Sequence, residues 1–215
     1  MRLCYKNKKE KFFTFKGDKM TKSKRITYLA ILSALVILFQ CMATVIGVTW
    51  KVVPTLALIP IILGVVILGV WEGTFLGFVF STVVFIFGIS GYDAGTYAMI
   101  QYKPVLATLL IFVKGCMAPF VAGIVYKLTK NKLPRASIWI ASALCPIVNT
   151  LLYCLGMFFF LDFLRGAGYN QNAMYLVFIV LPGVNFLIEF TLNIVLTPAI
   201  VRVSSIFDKT LKIGE

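Results

Sequence analysis

Six stretches of the chain are apolar almost without interruption: residues 26–48, 54–70, 73–89, 104–127, 136–160 and 174–201. A helix needs roughly 20 apolar residues to cross the hydrocarbon core of a bilayer. Inside that core each backbone N–H and C=O must be satisfied by protein, which leaves helices or a closed barrel. Barrel strands alternate apolar and polar residues over roughly ten positions. The run from Leu56 to Val70 has no polar side chain at all, so helices win. The pattern predicts an all-α integral membrane protein with six transmembrane helices in one domain over 26–201. A basic tail, 1–25, precedes it and a short tail, 202–215, follows. The second and third segments meet at a short Trp71-Glu72 turn. Residues 89–103 and 161–173 read as the longer, polar loops.

Charge fixes an orientation for this frame. Of the 21 Lys and Arg, ten lie in residues 1–25, four between Lys127 and Arg135, and three at Arg202, Lys209 and Lys212. Only Lys51, Lys103 and Arg165 fall in the loops at the other end. Basic residues collect on the cytoplasmic side of membrane proteins, so both termini are expected in the cytoplasm. The two polar loops then face outward. The net charge of +13 does not indicate nucleic acid, because the basic residues flank apolar segments and form no domain of their own.

Composition agrees. Sixty per cent of the residues are apolar and 13% charged, against roughly 25% charged in a soluble domain. The basic start followed by an apolar stretch is also the outline of a signal peptide, but the first stretch is long enough to span and lacks a small-residue cleavage site. It reads as an uncleaved helix, with Met20 as an alternative start. There is no histidine, and the five cysteines form no C-x-x-C, so no metal or other cofactor site is expected. Walker, G-x-S-x-G and H-E-x-x-H motifs are missing, and the chain is not expected to be an enzyme.

A few polar residues break the apolar segments. Lys114 sits ten residues into the fourth, and Glu189 lies inside the sixth. A charge at the centre of a membrane helix costs roughly 2.5–3.5 kcal/mol on insertion scales, so such residues face the bundle interior. A structural Lys114–Glu189 pair and a ligand contact both satisfy that demand. Asn185, Glu189 and Asn193 are spaced four apart, so they share one helix face. Asn149 lies one turn from Tyr153 in the fifth segment. These amides either bind a polar ligand or bond neighbouring helices. Tyr97 and Gln101, in the first outer loop, are also expected to contact the substrate. Gly69, Gly73 and Gly77 make overlapping G-x-x-x-G spacings, and Ala30 and Ala34 an A-x-x-x-A pair; both permit close helix approach.

Several stretches together resemble the substrate-specific S components of energy-coupling factor (ECF) vitamin transporters. They are Arg25 followed by Ala30-Ile-Leu-Ser-Ala34; Leu58-Ile-Pro-Ile-Ile-Leu-Gly64 running into Leu68-Gly-Val-Trp-Glu-Gly73; Lys114-Gly115 followed by Ala122-Gly123-Ile-Val-Tyr126-Lys127; Pro146-Ile-Val-Asn149-Thr150; and Asn185 through Glu189 to Asn193 and Pro198. The resemblance covers most of residues 24–202. It implies a multi-pass protein of the bacterial plasma membrane that captures a vitamin outside and delivers it inward. The implied partners are a membrane coupling subunit and two cytoplasmic ATPases that hydrolyse the ATP. The resemblance further implies that Ala30 and Ala34 meet the coupling subunit. It places the pocket near Lys114, Asn149, Tyr153 and Asn185, with Glu189 beside them. Within the family the pattern resembles most the group that includes pantothenate carriers, so pantothenate is the first expectation for the vitamin; Lys114 can pair with its carboxylate or with those of folate, and riboflavin follows. Two other classes stay open on the residues alone: a membrane scaffold of the cell envelope, and a self-sufficient secondary transporter.

Overall fold

The computed structural model describes residues 20–50, 56–160 and 181–213. The expected N-terminal tail up to residue 19, the start of the second apolar segment and Lys51 lie outside the described residues. So does the stretch 161–180, with the second outer loop and the start of the sixth segment.

The helices are α1 Lys22–Trp50, α2 Leu58–Ile67, α3 Val70–Ile89, α4 Ala94–Tyr102, α5 Pro104–Thr129, α6 Ala136–Met157 and α7 Leu181–Ile213; a 3₁₀ turn, Phe158–Phe160, extends α6. Among the described residues five helices, α1, α3, α5, α6 and α7, are long and apolar enough to cross a membrane. The expected second span, 54–70, is represented among the described residues by the shorter α2. The ten residues of α2 rise only about 15 Å, half the hydrocarbon thickness of roughly 30 Å. Beyond the expected span, α7 continues as helix to Ile213.

A helix that is apolar all round belongs in an interior. Accordingly α2 is the hub of the bundle and packs against α1, α3, α5, α6 and α7. Ile61 and Ile62 at its centre are fully buried. The break after it is not at Trp71-Glu72, which lie in the first turn of α3. It is at Leu68-Gly69, whose N–H groups both donate to the Gly64 carbonyl at 2.8 and 3.2 Å. Gly69 has φ +131°, a conformation that side chains with a Cβ disfavour.

The glycine spacings serve close packing. A Cβ on Gly73 would overlap Val65 of α2, and one on Gly77 would overlap the Gly115 carbonyl of α5. The backbones of α3 and α5 meet there, and Ser81 Oγ reaches the carbonyls of Gly77 and Ile111 at 3.0 and 3.1 Å.

The two ends of the bundle differ in charge. At one end Arg25 pairs with Glu72 and donates to the Leu68 carbonyl, and Tyr28 packs edge-on against Phe207 at 4.7 Å. Chain direction brings Lys127, Lys130, Lys132 and Arg135 to that end as well. At the other end Lys103 Nζ donates to the Phe159 carbonyl at 3.1 Å. Here, too, lies α4, where a plain loop was expected over 89–103. Asp93 caps it, accepting from Thr96 N and Thr96 Oγ1 at 3.2 and 2.6 Å.

Candidate binding site

Lys114 of α5, Tyr153 of α6 and Thr96 of α4 come together around one interior void. Proline at the first position of α5 suits a helix start, because its missing N–H is not needed there. Ten residues further, about 15 Å down the helix, Lys114 points into the bundle. Its neighbour Gly115 lies against Ser81 of α3. Across from it, a Cβ on Gly156 of α6 would overlap Leu110. The close α5–α6 approach set by Gly156 lets Tyr153, one turn away, reach the lysine. Lys114 Nζ sits 4.9 Å from the Tyr153 ring centroid, a cation–π distance.

Lys114 and Tyr153 share a void with Ala107 and Ile111 of α5, closed over by Thr96 and Met99 of α4. The void measures about 10 Å³, which is room for about one water. The Asp93 and Glu189 carboxylates lie within electrostatic reach of Lys114. Asn149, Asn185 and Glu189 are not among the described walls of the void. They lie on α6 and α7, which pack against each other.

Several side-chain oxygens here are buried without a hydrogen-bond partner: Asn149 Oδ1, Asn185 Oδ1, Asn193 Oδ1 and Ser142 Oγ, with Gln40 Oε1 on α1. Buried polar groups are almost always satisfied, and each orphan costs about 1–3 kcal/mol. Tyr97 and Gln101, by contrast, are exposed on a different face of α4 from Thr96 and Met99. On α1, Ala30 and Ala34 are exposed beside Ile31, Ile37 and Leu38.

Sequence reasoning did not single out Thr96 and Met99. The signal for them was Asp93 three residues before Thr96, a helix-start spacing. It also passed over Ser142, an ordinary residue type that only its burial makes informative.

A family model described as "ECF transporter, substrate-specific component" matches residues 24–201. The chain belongs to this family. Substrate-specific components of this kind work with a membrane coupling subunit and ATPases, and the chain is a multi-pass plasma-membrane protein of vitamin uptake. Among curated proteins it is similar to the pantothenic acid transporter PanT of Lactococcus lactis subsp. cremoris (strain MG1363). The two are 26% identical over 193 residues, covering 85% of this chain and 94% of the relative. No solved structure matches the chain significantly.

Proposed function

We propose that this S component binds pantothenate at the outer end of the bundle and releases it inside, driven by ATP hydrolysed on partner subunits. The observation that carries the reading is Lys114, a cation held against Tyr153 at the edge of a small interior void. A mid-membrane ammonium attracts an anion, and pantothenate has one carboxylate. Its hydroxyl and amide groups are donors for acceptors such as Asn149 and Asn185. The similarity to a pantothenic acid transporter supports the same ligand.

The void is far smaller than the 300 Å³ or more that a small-molecule pocket usually occupies. Binding therefore requires α4 to move, because Thr96 and Met99 are its cover. We place both termini and the basic end of the bundle in the cytoplasm, with α2 and the residues before it as the sixth crossing. The exposed Ala30–Ala34 face of α1 then meets the coupling subunit, since small residues let a second helix approach closely. The chain itself performs no chemistry.

The test is isothermal titration of the detergent-purified protein with pantothenate, without ATP. One-to-one binding that is lost in Lys114→Met supports the reading. Binding of folate or riboflavin in its place would move the assignment to that vitamin.

A further inference from the structure

The polar interior does not stop at the level of Lys114. Ser142, Cys145 and Asn149 follow a three-then-four spacing, which keeps them on one face of α6. Glu189, Asn193 and Thr197, each four apart, share one face of α7. All six residues are buried, and among the described helices α6 is the main packing partner of α7, so the two stripes belong to the α6–α7 seam. Counting helical rise, Asn193 is about 6 Å deeper than Glu189, and Ser142 about 10 Å deeper than Asn149.

Three acceptors along this seam have no partner. Ser142 is fully buried, Asn193 is 1% exposed and Asn149 is 8% exposed, yet Ser142 Oγ, Asn149 Oδ1 and Asn193 Oδ1 receive no hydrogen bond. The other half of the Asn193 amide is committed, donating to the Glu189 carbonyl at 2.9 Å. Thr197 Oγ1 in turn donates to the Asn193 carbonyl at 2.6 Å. The Nδ2 bond holds the Asn193 side chain with its oxygen available, while the Thr197 hydroxyl is spent on the Asn193 backbone carbonyl. An apolar helix interface would have no use for such a ladder.

We propose that the α6–α7 seam is a second polar site, deeper than the Lys114–Tyr153 void, that accepts hydrogen bonds from O–H or N–H donors. Two sources share that chemistry: the hydroxyl- and amide-bearing part of a ligand whose anionic end stays at Lys114, and water. The first source rests on the proposed function; the second does not. Either way the seam extends the polar interior from the void toward the basic end of the bundle, on the side where release takes place.

Cys145 is a built-in reporter, because it is fully buried and sits between Ser142 and Asn149. Hydroxyl-radical footprinting by X-ray radiolysis, read by mass spectrometry, modifies buried side chains only where water lies next to them. The intact protein in nanodiscs is compared with Asn193→Leu and, separately, Ser142→Ala. The expected result is rapid modification of Cys145 in the ligand-free wild type and a several-fold slower rate in either variant. Adding saturating pantothenate separates the sources. Protection of Cys145 assigns the donor to the ligand, and an unchanged rate assigns it to water; both support the site. An unmodified Cys145 in the ligand-free wild type shows a dry seam and overturns the proposal. Should pantothenate fail to bind at all, the proposed function fails, while the ligand-free comparison still decides the seam.

Discussion

Lys114 Nζ lies 4.9 Å from the centroid of the Tyr153 ring. The pair joins α5 to α6 inside the membrane region. The ring face offsets part of the cost of burying the ammonium, and the cation stays available to an anion entering the void. A cation–π contact contributes about 0.5–2 kcal/mol, so Tyr153→Leu is expected to weaken pantothenate binding by about two- to thirtyfold, while Tyr153→Phe keeps most of it. Lys114→Met removes a hydrogen bond to a charged group worth about 1.5–3 kcal/mol and is expected to lose more. Titration calorimetry on the three variants checks the order.

The meeting of Gly77 and Gly115 brings α3 and α5 into backbone contact. Gly77→Val forces the Gly115 carbonyl and Pro119 apart, and overpacking of this kind costs about 1–3 kcal/mol. A lower melting temperature in detergent is the expected outcome. An unchanged melting temperature means the helices are not that close.

Asp93 holds the first turn of α4. Losing an N-cap costs about 1 kcal/mol, so Asp93→Ala is expected to speed amide exchange across Ala94–Tyr102 about fivefold while leaving α5 unaffected. Because Thr96 and Met99 cover the void, the same variant is expected to bind and release ligand faster. Hydrogen–deuterium exchange and stopped-flow fluorescence read the two effects separately.

Ala30 and Ala34 face outward and contribute nothing to the Lys114 void. Ala30→Leu with Ala34→Leu is expected to leave pantothenate binding intact and to abolish co-purification with the coupling subunit. Loss of both properties together would place this face in the binding site instead.

What the sequence disclosed follows from which physical demands leave a pattern. A charge in an apolar run is costly wherever it stands, so Lys114 and Glu189 were readable as interior. Glycines four apart were readable as a contact, and Gly73 and Gly77 make one. The Trp71-Glu72 turn was misplaced because polarity suggested a break, whereas the chain reverses at Leu68-Gly69 through a backbone conformation that polarity does not encode. The helix α4 was hidden by its length of nine residues and by Gly91 and Gly95, which resemble loop composition. Its rotation, which turns Thr96 and Met99 inward and leaves Tyr97 and Gln101 exposed, is set by packing of Gly88 against Thr96 and Ile100. No spacing within 89–103 foretells that contact.

The most direct measurement is uptake of radiolabelled pantothenate into proteoliposomes. One set holds this chain alone, the other holds it with the coupling subunit and ATPases. The account predicts uptake only in the second set, only with ATP inside the compartment where the ATPases face, and none with Lys114→Met. Uptake by the chain alone, or none by the full assembly supplied with ATP, would contradict it.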